Sequence, residues 1–208
     1  MTALAPNQEF NRLAPEEQVT KTAQSLEANG LHTIVVDTGE QARASVQELI
    51  PAGAQVYNPP SRTLDQIGIA ADIEASTRFQ ALRARLRLLD RATQRREIRQ
   101  LIGSPDVVVG SVHAITEQGQ VLIASASGSQ LGAAVFGAGT VIWVAGTQKL
   151  VHNLEEGLRR IREYSYPLED ERARQVYGQP SAINKVLIVN GELPGRITVI
   201  LVRQNLGF

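Results

Sequence analysis

Three short runs constrain this chain more than anything else in it: Leu31 to Asp37 (LHTIVVD), Asp106 to Ser111 (DVVVGS) and Thr140 to Ala145 (TVIWVA). Each is a brief, β-branched stretch with little polar alternation. A strand of that kind must be covered on both faces, which is the condition of a parallel sheet between helical layers. The segments between agree. Pro15 with Glu16 and Glu17 opens a helix whose stripe is Val19, Ala23 and Leu26, and Gly30 closes it. Thr38 with Gln41 forms a capping-box pattern that starts a second helix, running through Ile50 to Pro51. Gln55 to Tyr57 is a second strand, and Ser61 caps a helix through Ile69. Strand, helix, strand, helix is the rhythm of a doubly wound α/β sheet.

The rest of the chain adds detail. Thr77 to Ile102 reads as one long helix. Phe79, Leu82, Leu86 and Leu89 form its stripe, and seven arginines between Arg83 and Arg99 occupy much of the remainder. Such a row could meet phosphate, but a formal net charge of zero favours a solvated face; a homodimer seam along the leucines stays open. Val112 to Glu117 and Gln120 to Ser125 read as hairpin arms around Gln118-Gly119. A helix carrying Leu154, Leu158 and Ile161 is expected to end near Tyr164 to Pro167. Lys185 to Val189 and Ile197 to Val202, joined by NGELPG, read as a closing antiparallel hairpin. The strands centred near Val35, Val56, Val108, Leu122 and Trp143 are expected to share one mostly parallel sheet.

The chain has no cysteine, which removes disulfides, a thiol nucleophile and thiolate ligands for an iron–sulfur cluster. Its N-terminus lacks an apolar core, and no apolar run approaches ~18 residues, so a cytoplasmic protein without a membrane span is expected. With zero net charge, nucleic acid is not an expected partner. The three histidines, His32, His113 and His152, are scattered, and no metal-ligand spacing is present.

Several residues could carry chemistry. Ser125 to Gln130 (SASGSQ) follows a strand, and Ser125, Ser127, Gly128 and Ser129 are candidates for a phosphate or carboxylate cradle; an ordinary Ser/Gly loop is the competing reading. The spacing fits neither dinucleotide nor mononucleotide fingerprints. Lys149 is one of 3 lysines against 18 arginines, and it follows the Thr140 to Ala145 strand. Ligands of open α/β sheets collect at such strand ends, so Lys149 either holds an anion there or faces water at a helix start. Asn184 and Lys185 sit at another loop-to-strand junction. His113 is either a proton shuttle or a core histidine bonded to backbone.

The blocks TLDQIGI (Thr63 to Ile69), VGSVHAITEQGQVLIAS (Val109 to Ser125), VIWVAGTQKLVHNLEEGLRRIREYSYPL (Val141 to Leu168) and GRITVILVRQNLGF (Gly195 to Phe208) resemble the LUD family, the lactate utilisation protein C-like proteins. The resemblance implies one domain over residues 1–208 with a three-layer α/β/α fold of the NagB/RpiA/CoA-transferase type. It also implies a place in oxidation of L-lactate to pyruvate beside iron–sulfur subunits. Where relatives often carry a cysteine-rich segment, this chain has YGQPSAINK (Tyr177 to Lys185), so no cluster is expected on it. The CoA-transferase likeness makes Glu117, ahead of Gln118-Gly119, a candidate nucleophile; a solvated glutamate at a hairpin tip is the alternative. The expected function is a non-redox, small-anion-binding component of lactate oxidation. The alternatives are a stand-alone CoA-transferase-like or sugar-phosphate isomerase-like enzyme using Glu117, and a structural interaction module. Glu117, Ser127, Gly128 and Lys149 are expected to converge on one pocket.

Overall fold

The computed structural model describes residues 5–208; the first four residues of the polar N-terminal stretch lie outside the described residues. Six strands form a wholly parallel sheet: β1 (His32–Val36), β2 (Gln55–Tyr57), β3 (Gln80–Ala81), β4 (Val107–Gly110), β7 (Thr140–Gly146) and β10 (Ile197–Val202). Their spatial order is β1-β10-β7-β4-β2-β3. Alternate residues of the central strands enter two different cores, as the period of two requires. Val107, Val109, Ile142, Val144, Ile200 and Val202 pack against α2 (Gly39–Leu49), α3 (Arg62–Gln66) and α4 (Ile69–Ala75). Val108, Val141, Trp143, Val199 and Leu201 face α1 (Glu16–Ala28) and the leucines of α5 (Leu82–Leu86) and α6 (Arg95–Gly103). Helices thus cover both faces in a three-layer α/β/α arrangement. The capping box at Thr38 and Gln41 is present as expected.

A second sheet shares the α1 side. It comprises β5 (Ala114–Thr116), β6 (Val121–Ser125), β8 (Leu150–Val151) and β9 (Lys185–Val189), in the order β8-β5-β6-β9. The β5–β6 hairpin turns at Gly119, as its residues predict. The outer face of this sheet packs Ala114, Leu122 and Val151 against Ile161 and Tyr164. Ile161 and Tyr164 belong to a π turn, Ile161–Ser165, joining α7 (Leu154–Arg160) to α8 (Tyr166–Tyr177). Among the described residues no helix is long and apolar enough to cross a membrane.

Four expectations need correction. The Leu122 strand belongs to the second sheet, not to the parallel one. The last two strands do not pair: Ile197–Val202 runs parallel between β1 and β7, while Lys185–Val189 lies antiparallel to β6. All six residues of β10 are buried, whereas β9 is half-exposed. An unbroken apolar ITVILV needs cover on both faces, which a terminal flap cannot provide. The long helix at 77–102 is broken after α5, because the Asp90 carboxylate accepts the Ala92 N–H at 2.8 Å and the Thr93 hydroxyl at 2.8 Å, closing a turn. Phe79 and Leu82 are buried and Leu86 packs on the core, but they are not one helical stripe. Finally, the helical segment at Leu154 does not stop at Pro167. That proline sits in the first turn of α8, where its missing N–H costs nothing, and the helix runs on to Tyr177.

Candidate functional site

The parallel sheet delivers three strand ends to one place. After β2 the chain passes Pro59, Pro60 and Ser61 into α3, after β4 it passes Ser111 and Val112 to His113, and after β7 it makes a single turn to Lys149. All of these line a cavity of about 320 Å³. Its other walls come from the end of β6 (Ile123 to Ser127), from Tyr166, Glu169 and Arg172 of α8, and from Phe208. This is the carboxyl edge of an open α/β sheet, where such folds hold ligands.

Lys149 dominates the chemistry. It is 1% exposed, and its Nζ donates to Thr63 Oγ1 at 2.9 Å and Ser111 Oγ at 3.0 Å. Ser111 Oγ donates in turn to Thr63 Oγ1 at 3.1 Å, and Thr63 Oγ1 to the Leu206 carbonyl at 3.2 Å. None of these partners is a carboxylate. Burial therefore pushes the Lys149 pKa well below the usual lysine range, and the nearby Arg160 guanidinium pushes it further. Arg160 is itself fully buried. It donates to the Gln148 carbonyl at 3.3 Å, the His113 carbonyl, Ser165 Oγ at 3.1 Å and the Phe10 carbonyl at 3.5 Å, and burial lowers its pKa to about 10. His113 is lowered to about 3, first by burial and then by Lys149 and Arg160. Its Nδ1 lies 3.1 Å from the Ala124 N–H and accepts from it, so the neutral ring carries its proton on Nε2. At the rim Arg172 is paired with Glu169 at 2.6 Å and 2.7 Å. Lys149 in the wall and Arg160 behind it thus have no carboxylate as a hydrogen-bond partner; the acids of the lining are exposed Asp65 and the paired Glu169.

The candidates separate accordingly. Lys149, His113, Ser125, Ser127 and Ser129 line the cavity. The serine loop is not an open cradle of N–H groups, however. Ser125 Oγ accepts the Gly128 N–H at 2.8 Å, and Ser127 Oγ accepts the Ser129 N–H at 3.2 Å, so the loop offers the cavity hydroxyls. Gly128 is outside the lining. It has φ +83, and a Cβ there would meet the Lys185 stem at 2.8 Å, so glycine is needed to let Lys185 cross the loop. Asn184 donates to the Ala126 carbonyl at 3.1 Å; it and Lys185 brace the loop from outside the cavity.

Glu117 sits at the opposite end of β5 from His113. Its carboxylate accepts Lys21 Nζ at 2.6 Å and lies 2.6 Å from His152 Nδ1, so the expected convergence with Lys149 does not occur. Its hydrogen bond from Lys21 lowers its pKa most, burial opposes that, and His152 adds to the lowering, so the carboxyl lies below the usual carboxylate range. Sequence reasoning missed Thr63, Ser111 and Arg160. Thr63 and Ser111 had a signal, since both follow strands of the parallel sheet. Arg160 had one too: Gly157, Arg160, Ile161 and Tyr164 recur at helical spacing and are all buried.

A family model for the LUD domain matches residues 19–202. The chain belongs to the LUD domain family. That family is associated with lactate utilisation. The match reaches further toward the N-terminus of this LUD protein than the blocks legible in its sequence. Among solved structures, the protein resembles a DUF162 family protein from Deinococcus radiodurans at 14% identity and a TM-score of 0.52, with 92% of this chain and 99% of the other covered. At that identity the likeness shows a shared fold. A fainter match, eIF2B beta from Chaetomium thermophilum, has 17% identity and a TM-score of 0.38 over 57% of this chain and 44% of the other. No curated protein sequence matches. The LUD protein has no cysteine, and its described residues contain no group of three or more His, Asp or Glu placed to hold a metal ion.

Proposed function

We propose that this LUD protein binds a small anion, a carboxylate or a phosphate, in the cavity at the carboxyl edge of its parallel sheet, and acts as a cytoplasmic, non-redox component of L-lactate oxidation. The observation that carries the reading is Lys149, buried beside Arg160 with hydroxyl partners and no acid. A buried cation without a counter-ion is costly, and an anionic ligand would offset that cost while restoring the ammonium. Neutral His113 and the hydroxyls of Ser127 and Ser129 supply further polar groups to orient such a ligand. Lactate oxidation releases two electrons and two protons. With no cysteine to ligate a cluster, this chain would leave the electrons to iron–sulfur partner subunits. The Glu117 nucleophile of the transferase alternative gains no support from its place beside Lys21 and His152.

Thermal unfolding in the presence of L-lactate, pyruvate or inorganic phosphate tests the reading. A ligand at about 100 times its Kd should stabilise the wild type by roughly 2.7 kcal/mol. At the same ligand concentration the effect should be clearly smaller in Lys149→Met, by roughly 1–2.4 kcal/mol. Equal stabilisation of both proteins, or none of either by all three anions, would overturn it.

A further inference from the structure

The hydrogen bonds around Lys149 say more than that a cation is buried. They form a chain with a fixed direction: Lys149 donates to Ser111 and Thr63, Ser111 donates to Thr63, and Thr63 donates to the Leu206 carbonyl, which can only accept. Every hydroxyl proton in that chain is accounted for. Lys149 Nζ therefore finds two acceptors and no donor among the described residues. A neutral amine has two N–H groups and one lone pair, so two acceptors complete its hydrogen bonding and leave the lone pair unengaged. An ammonium would carry a third N–H with no protein partner. Lys149, Thr63 and Ser111 all line the cavity. Depression of its pKa by burial and Arg160 agrees with that count.

We infer that Lys149 is a covalent site, whose amine condenses with the carbonyl carbon of a small aldehyde or ketone that also bears an anionic group. The inference rests on the anion-binding reading for its ligand class and adds the carbonyl to it. The Nζ lone pair forms the C–N bond, and the carbonyl π electrons move to oxygen, which takes a proton from solvent. Loss of water then gives the iminium. In sum, the amine, the carbonyl compound and one proton yield the iminium and one water, with no oxidant or reductant involved. The Thr63 and Ser111 hydroxyls hold the two N–H groups and so orient the lone pair. The positive charge regained on the iminium pairs with the anionic group of the same ligand, which explains why one pocket would select both features. A 2-oxo acid and an aldehyde phosphate share this chemistry.

The test is borohydride trapping at pH 7 with pyruvate in one arm and glyceraldehyde 3-phosphate in the other, followed by peptide mapping. The protein carries its own controls in Lys21 and Lys185, both exposed. At pH 7 an ordinary lysine is free amine only about once in 2,500 molecules, so Lys149 should be labelled roughly tenfold or more faster than either. One reduced adduct on Lys149, in either arm, is the expected result, and the productive arm identifies the anionic group. Labelling of all three lysines at similar rates, or none at Lys149, would overturn the inference. If Lys149-dependent stabilisation by anions is seen without an adduct, the covalent inference fails and the anion reading stands; absence of both removes both. Because mapping is done on the wild type, the result does not depend on whether Lys149→Met folds.

Discussion

At one end of β5, His113, Lys149 and Arg160 gather at a cavity, buried or half-buried, and are held by hydroxyls, backbone carbonyls and one backbone N–H, with no carboxylate among them. At the other end, Glu117 meets Lys21 and His152, whose side chains are 59% and 69% exposed. The two clusters use similar residue types to opposite effect. The surface cluster is internally neutralised and lies in a high dielectric, so its charges are cheap to hold and worth little. The buried cluster is short of an anion in a low dielectric, so each member is displaced from its usual protonation range and the whole is poised for a ligand. Distance between them is small in sequence, four residues from His113 to Glu117, which a strand converts to about 13 Å.

The sharpest way to break this contrast is Arg160. Arg160→Met strands the carbonyls of Gln148 and His113 and the Ser165 hydroxyl in the interior, each an unpaired buried polar group. A loss of roughly 3–5 kcal/mol in urea denaturation is expected. A loss under 1 kcal/mol would mean that water reaches these groups and that the cluster is not buried in solution.

Acid should act next most strongly. His113 has a folded pKa of about 3 against an ordinary value of 6.5. Across that window the unfolded chain binds a proton that the native state refuses, so stability falls as pH drops from 6.5 towards 3. Roughly 2–4 kcal/mol should be lost between pH 6.5 and pH 4 in excess of the loss in His113→Gln. Identical pH profiles for the two proteins would show that His113 titrates freely.

How much of this was readable beforehand differs between the same two regions. The β-branched runs, the capping box at Thr38 and the hairpin at Gly119 are local signals, and each appears where its residues place it. The assignment of β6 and β9 to a second sheet is not local: it depends on which strand edges are free after β10 has entered the parallel sheet. Even so, the unbroken ITVILV carried the clue, and the turn-like NGELPG outweighed it. Lys149 could be found from strand-end logic alone. Its partners Thr63 and Ser111 lie 86 and 38 residues away along the chain, and only the fold brings them together. Glu117 was drawn toward the site by its neighbour Gly119 and by fold likeness; its strand points that end away from the parallel sheet's carboxyl edge.

Lys149→Met sharpens the comparison from the ligand side. It replaces a buried basic group with an apolar one, so stability at neutral pH should hold or rise. Affinity for the anion should fall by about 1–3 kcal/mol, the scale of a charge-assisted hydrogen bond. The pH dependence has a definite sign. Between its depressed folded pKa and the ordinary lysine value, the unfolded chain is protonated at Lys149 and the native state is not, so wild-type stability rises with pH across that interval. Lys149→Met should lack this rise. Denaturation curves at pH 7 and pH 9 for both proteins measure it, and parallel shifts would assign the rise elsewhere.

Glu117→Gln should have the smallest effect and so tests whether the two ends of β5 are independent. The substitution keeps the shape and one acceptor oxygen but removes the charge that Lys21 and His152 share. Since both partners are largely exposed, the loss should be under about 1 kcal/mol and should shrink further in high salt. Glu117's own pKa is depressed, so the stabilisation is present above the ordinary carboxylate pKa and disappears as pH falls through the folded value; the mutant should lack that acid-side loss. Anion binding in the cavity should be unchanged, because Glu117 does not line it. A tenfold weaker anion affinity in Glu117→Gln would couple the clusters by about 1.4 kcal/mol and return Glu117 to the functional site.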